Sequence, residues 1–268
     1  MAASMSRQFS LVCVVTFTLV GTCAPTDAVE LDRSAVISGP VFDAQKGVWR
    51  YRVESQFLSG ANAIEVLLPD DYHQDKLYRV LYVLPVEAGI GGRYGDGLME
   101  LKKSNTHNKY RVICVAIAFD TIPWYGSHAT DQRIRHEDYI KNVAVPLIES
   151  RYRTSGKAEG RLLLGFSKSG WGALTLILRS PDCFGYACSW DAPLLMDKTR
   201  FGLYGTNRHF GTPEQFGKYL PIKLVEQNAV HFQTRARMAV LGHKSFGTNG
   251  SPHNQPHTRA FHDKLASL

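Results

Sequence analysis

Apolar and polar residues alternate over 49–57 and again over 61–68, the period-two pattern of strands with one buried and one solvated face. Ser59-Gly60-Ala61-Asn62 lies between them and has the turn chemistry of a hairpin, so the pair predicts an antiparallel edge of a sheet. Residues 79–84 and 111–118 instead carry consecutive apolar side chains, as strands buried on both faces of a parallel sheet do. A short helix is expected between them, around 97–104. Over 134–152 the apolar positions take helical spacing with Pro146 inside, and a proline that removes a backbone donor predicts a kink or two helical pieces. Arg161-Leu162-Leu163-Leu164 reads as a further buried strand and 173–179 as the helix that follows it. Strands are expected at 186–190, ending at Asp191, and at 237–241, with a last helix over 257–268. The stretch 192–234 is rich in Gly, Pro, Phe and Tyr and is expected to cap a site or to wall an acyl pocket. Strands alternating with helices predict an α/β fold: a mostly parallel central sheet with an antiparallel edge hairpin and helices on both faces.

Composition narrows this picture. With 268 residues, 44% hydrophobic and 21% charged, the chain is long enough for one large domain and lacks the composition of a disordered one. Arg7, an apolar run over 9–20 and small residues up to Ala28 read as a secretory leader whose apolar run is too short to span a bilayer. The expectation is therefore a signal peptide over 1–28, one domain over 29–268, a secreted or periplasmic location and no membrane span. Val20-Gly21-Thr22-Cys23 faintly resembles a lipoprotein processing site, although threonine before the cysteine is an unusual choice. Cys114 and Cys188 lie in apolar, strand-like runs and read as small buried hydrophobes. No Cys or His spacing suggests a zinc site, so neither metal nor cofactor is expected. The formal charge of +7 is spread along the chain without a basic run, which argues against a nucleic-acid partner.

The chemistry concentrates in Gly165-Phe166-Ser167-Lys168-Ser169-Gly170-Trp171-Gly172, between the 161–164 strand and the 173–179 helix. Small residues let strand and helix approach, and the helix N-terminus presents amides that can hold an oxyanion beside Ser167. This is the arrangement of a nucleophile elbow. The usual pattern is G-x-S-x-G, and here Ser169 takes the last position, with glycines following at 170 and 172. An ordinary strand-to-helix connection uses the same small residues, so the neighbouring sequence decides between the two readings.

Those neighbours resemble a known family. Val145-Pro146-Leu147-Ile148-Glu149-Ser150-Arg151-Tyr152, the elbow with Gly172-Ala173-Leu174, and Ser180-Pro181-Asp182-Cys183-Phe184-Gly185 are similar to the esterase family of α/β-hydrolases. That family includes esterase D, enterochelin esterases, feruloyl and acetylxylan esterases and mycolyltransferases. Upstream, Val66-Leu67-Leu68-Pro69-Asp70-Asp71-Tyr72 and Tyr78-Arg79-Val80-Leu81-Tyr82-Val83-Leu84-Pro85 resemble its first strands, so the likeness runs from about 60 to 245. It implies an α/β-hydrolase fold and cleavage of carboxylic esters, of a small-molecule or carbohydrate substrate, through an acyl-serine at Ser167.

A serine hydroxyl needs a histidine to take its proton and a carboxylate to orient that histidine, in the chain order nucleophile, acid, histidine. The resemblance implies the acid just after 237–241, where this chain has Gly242-His243-Lys244-Ser245-Phe246 and no carboxylate. Asp191 is the substitute, at the carboxyl end of the preceding strand, where open α/β sheets build their sites. The resemblance places the histidine after one further strand, which has no counterpart before Leu268, so the chain reads as a hydrolase fold lacking its last strand. Of His243, His253, His257 and His262, His243 is the best internal candidate because it follows a strand's carboxyl end. The others have surface or packing roles by default. The oxyanion hole is assigned to the backbone N–H of Lys168 and to one in the loop after 79–84, at Glu87. Trp124 and Tyr125 follow a central strand and could stack on a sugar ring or an aromatic acyl group. The glycines of 89–97 do not keep the spacing of a dinucleotide-binding loop. With acid and histidine motifs displaced, two alternatives stay open: a secreted binding protein with an inactive hydrolase fold, and an acyltransferase.

Overall fold

The computed structural model describes residues 31–242 and 255–268. Its centre is an eight-stranded sheet in the order β1-β2-β3-β5-β4-β6-β7-β8. The antiparallel edge consists of β1 (Val36–Asp43), β2 (Val48–Glu54) and β3 (Ala61–Leu67), and the hairpin expected from the sequence is β2–β3, with Glu54 opposite Ala61. In β2, Val48, Tyr51 and Val53 are buried while Arg50, Arg52 and Glu54 are exposed. Strands β4 (Arg79–Leu84), β5 (Val112–Ile117), β6 (Arg161–Phe166), β7 (Tyr186–Trp190) and β8 (Met238–Leu241) run parallel to one another. All six residues of β5 are buried, which explains their continuous apolar run.

Helices are α1 (Gly97–Lys103), α2 (Thr106–Lys109), α3 (His136–Tyr139), α4 (Val145–Arg151), α5 (Lys168–Arg179), α6 (Thr206–Phe210), α7 (Pro213–Gly217), α8 (Pro221–Asn228) and α9 (Gln255–Ala266). The long helix expected over 134–152 is broken as Pro146 requires: α3 and α4 are joined by a π turn, Ile140–Ala144. A proline at 146 cannot donate to the carbonyl four residues back. That carbonyl, on Asn142, instead accepts the Asp32 N–H at 2.8 Å and ties down the start of the described chain.

Two apolar layers sandwich part of the sheet. On one face Tyr82, Leu163 and Ala187 pack with Ile148, Trp171, Leu174, Leu224 and Phe261 of α4, α5, α8 and α9. On the other, Val83, Cys114 and Ala116 pack with Leu98 of α1. Among the described residues that second layer covers β3, β5 and β4 and does not continue over β6–β8. There Leu162, Leu164, Phe166, Tyr186 and Cys188 are only half-buried, and Trp190 and Leu241 are 37% and 57% exposed. Cys114 is buried and Cys188 half-buried, and both are free thiols. Among the described residues no helix is long and apolar enough to cross a membrane.

Candidate active site

The strand-turn-helix unit that carries Ser167 is clamped at both far ends. Arg161, which opens β6 and is 1% exposed, meets Glu149 of α4 through two nitrogens at 2.6 and 2.9 Å. Arg179, which closes α5, pairs with Glu137 of α3 at 3.0 Å. The Arg161–Glu149 pair, bidentate and buried, fixes orientation as well as distance. The unit is thus held rigidly, and what it holds is strained.

Ser167 has φ 53° and ψ −120°, a left-handed conformation that costs a residue with a Cβ about 1–3 kcal/mol. Its N–H donates to the Trp190 carbonyl at 3.0 Å, and its own carbonyl accepts the Trp171 N–H at 3.0 Å, so both ends of the turn are fastened. Strand and helix meet so closely at Gly165 that a Cβ there would lie 2.0 Å from the Ser169 carbonyl oxygen. Ser169, the residue that departs from the usual elbow pattern, has a role of its own. Its buried hydroxyl accepts the Phe166 N–H and donates to the Phe166 carbonyl, each at 2.9 Å, and cross-ties the turn.

Phe166, Trp190 and Leu241 form one rung across β6, β7 and β8. Ser167, Asp191 and Gly242 therefore leave the sheet together along one carboxyl edge, where open α/β sheets place their sites. Asp191 also has a left-handed φ of 51°, and its N–H donates to the Leu241 carbonyl at 2.9 Å. His243, the next residue after Gly242, lies outside the described residues. The histidine that the structure does bring to this edge is His257, in the first turn of α9. Phe261, one turn on, is fully buried in the core and seats that helix. Burial lowers the His257 imidazole below the ordinary histidine value, the Arg200 charge lowers it further, and the Asp191 carboxylate pulls it back up. Its Nδ1 is buried and has no hydrogen-bond partner among the described residues. A neutral imidazole within electrostatic reach of a carboxylate is what a general base at this edge requires. The sequence signal for His257 was its place in the first turn of the helix after a sheet strand. Helical spacing hid it by favouring a packing role.

The two segments assigned to the oxyanion hole come within electrostatic reach of each other. Lys168 opens α5 beside Ser167, and burial depresses its ammonium while the Glu87 carboxylate opposes that shift. The loop after β4 is held by the Tyr125 hydroxyl, which donates to the Pro85 carbonyl, and by the Gly89 N–H on Phe119 at 2.9 Å.

Trp124 and Tyr125 do not face a substrate. Both are fully buried. Trp124 packs edge-on against Trp171 at 5.2 Å and donates its Nε1–H to the Tyr204 carbonyl at 3.1 Å. The Tyr125 ring fills the space beside Gly172, where a Cβ would lie 2.0 Å from it, so the last glycine of the elbow motif makes room for the residue that braces Pro85. The stretch 192–234 likewise departs from expectation. Its Phe210, Phe216, Tyr219 and Leu224 are buried in the same core as Trp171 of α5, where their apolar area is removed from water. Apolar space is also found elsewhere among the described residues. An apolar cavity of about 200 Å³ lies on the second face of the sheet, between the ends of β4, β6 and β7 and the 90–101 segment.

Residues 55–240 match a family model described as Putative esterase. Esterase Rv1288 and Esterase MT1326 of Mycobacterium tuberculosis are each 28% identical to this chain over 167 residues, 58% of the chain and 34% of the relative. The chain thus spans about a third of the length of these curated relatives. Among solved structures, S-formylglutathione hydrolase (FrmB) of Staphylococcus aureus superposes with a TM-score of 0.61 at 14% identity, over 82% of this chain and 86% of that one. A ferulic acid esterase gives 0.59 at 17% identity, over 87% and 86%. MPT51 (FbpC1) of Mycobacterium tuberculosis gives 0.58 at 17%, over 81% and 84%. At these identities the structures establish a shared α/β-hydrolase fold.

Proposed function

The chain belongs to the putative esterase family, and on that premise we propose that it cleaves carboxylic esters through an acyl intermediate on Ser167. The observation that carries this reading is the strained serine: a left-handed Ser167 at the mouth of a rigid strand-turn-helix unit, with a helix N-terminus behind it.

In this mechanism the Ser167 Oγ attacks the ester carbonyl carbon as His257 takes its proton, and the carbonyl oxygen becomes an oxyanion. The Lys168 N–H and the loop after β4 receive that charge, a contribution worth about 10²–10³-fold in rate for a single donor. The C–O bond to the alcohol then breaks, the imidazolium returns its proton to the leaving oxygen, and an acyl-Ser167 ester remains. Water activated by the same imidazole attacks that ester, which releases the acid and restores the serine. Asp191 orients the ring and stabilises its charged form, consistent with the upward pull of its carboxylate on His257. The leader-like pattern of Arg7 and residues 9–20 supports a reaction carried out after export.

The test is labelling of the purified protein with a fluorophosphonate probe beside Ser167→Ala, with the adduct located by mass spectrometry. Labelling confined to Ser167 and lost in Ser167→Ala is the expected result. A folded protein that takes no label overturns the reading and favours an inactive, binding hydrolase fold.

A further inference from the structure

We propose that the Lys168 side chain is a specificity determinant: its ammonium receives a carboxylate at the far end of the acyl group, so that half-esters of dicarboxylic acids are cleaved in preference to neutral esters of the same length. The inference rests on the esterase reading of Ser167. It starts from a cation that lacks a counter-ion. Lys168 is half-buried next to the nucleophile, and among the described residues its ammonium forms neither a hydrogen bond nor an ion pair. Lys46, Arg135 and Arg161 are sheltered to a similar degree or more, and each is paired: Lys46 with Glu65 at 3.1 Å and Asp96 at 2.9 Å, Arg135 with Asp138 at 2.7 Å and Arg161 with Glu149 at 2.6 Å. A charge withdrawn from water without a partner is unfavourable, and burial accordingly depresses the Lys168 ammonium. Its position adds to the cost, because Lys168 is the first residue of α5 and that end of a helix already carries partial positive charge. Neither packing nor the helix accounts for a lysine here. An anionic group beside it relieves both penalties.

Strand order decides which half of the ester the ammonium meets. β6, which carries Ser167 at its end, lies between β4 and β7. On the β7 side stand Asp191 and His257, the groups assigned to returning a proton to the leaving alcohol. On the β4 side stands Glu87, the carboxylate whose charge acts on Lys168. It lies against Gly92, where a Cβ would be 3.8 Å from the Glu87 Oε2. The Lys168 side chain thus extends from the nucleophile toward β4 and away from the alcohol, which leaves the acyl chain as the half within its reach. Arg93 brings a second cation to that side: its guanidinium sits 5.1 Å over the Tyr94 ring, which meets the Phe166 ring edge-on at 6.1 Å. Asp96, nearby in the same loop, is held by Lys46. Glu87 is therefore the competitor for the Lys168 ammonium, close enough to act on it and too far to pair with it. An acyl chain about as long as a lysine side chain and ending in a carboxylate supplies the missing partner, and a hydrogen bond to a charged group is stronger than one between neutral groups.

The experiment compares kcat/KM on the p-nitrophenyl half-ester of adipic acid with kcat/KM on p-nitrophenyl hexanoate, two substrates of equal chain length that differ in one terminal carboxylate. The half-ester should be favoured about tenfold at low ionic strength, and salt at about 0.5 M should reduce that ratio. Lys168→Met should abolish the preference, and Lys168→Arg should retain most of it. Glu87→Gln, which removes the competitor, should increase it. A role in packing alone would not move one ratio in opposite directions. A ratio near one in the unaltered protein, or one that Lys168→Met leaves unmoved, overturns the proposal, and turnover of hexanoate that depends on Ser167 then leaves the esterase reading intact. No turnover of either ester, with no fluorophosphonate adduct at Ser167, overturns both.

Discussion

The two faces of the sheet at β6, β7 and β8 are built differently. On the closed face, Leu163 and Ala187 are 1% and 3% exposed beneath α5, α8 and α9. On the open face, Leu162, Leu164, Phe166 and Cys188 are half-buried, and Trp190 stands out into solvent. Helices α1 and α2 pack chiefly on β4 and β5 on that side. The difference separates two tasks. Groups assigned to the chemistry hang from elements seated on the closed face: Ser167 at the head of α5 and His257 at the head of α9. Close packing there leaves little freedom, and a reacting serine needs little freedom. The open face supplies an apolar wall of half-buried side chains.

The largest expected effect would break this division outright. His257→Ala should lower kcat/KM on p-nitrophenyl butanoate about 10²–10⁴-fold, measured by steady-state kinetics. A loss below tenfold would mean that the closed face does not deliver the base. Next in size is a comparison within one strand. Leu163→Ala should cost about 2–5 kcal/mol by leaving a cavity under α5, whereas Leu162→Ala, its neighbour on the open face, should cost under about 1 kcal/mol. Urea midpoints at unchanged m value give both numbers, and equal costs would erase the distinction between the faces. A finer test is the acid limb of kcat/KM. The imidazole must be neutral to accept a proton, and burial lowers the His257 pKa, so the limb should lie below the ordinary histidine value of about 6.5. Asp191→Asn removes the charge that favours the imidazolium. The limb should then move to lower pH as the rate falls, and a shift upward would show that Asp191 does not face this histidine.

Much of the architecture was legible in the chain because its signals are local. The β2–β3 hairpin, the six-residue apolar run of β5, the break before Pro146 and the junction at Ser167 each depend on residues within a turn or two of one another. Strand β1 was not legible: Val36, Val41 and Phe42 are exposed, so no alternation marks it, and it exists through its pairing with β2. Ser169 could be read as a departure from the elbow pattern, but not as the cross-tie of that turn.

The sequence by itself determined the order of strands β2 to β8, the helices around 97–103 and 168–179, the serine at the carboxyl edge and the aspartate one strand over, since periodicity and turn chemistry are written in neighbouring residues. Tertiary structure alone decided the rest. An aromatic residue after a strand has the same local signature whether it faces a ligand or a glycine on another element. Tyr125 was assigned to the core by Gly172, 47 positions away. His257 came within electrostatic reach of Asp191 because a buried Phe261 docks α9, and the apolar cavity arose because the 90–101 segment folds over the ends of three strands. Such contacts join residues far apart in the chain. Their energy comes from apolar area that is buried only once the whole sheet is assembled.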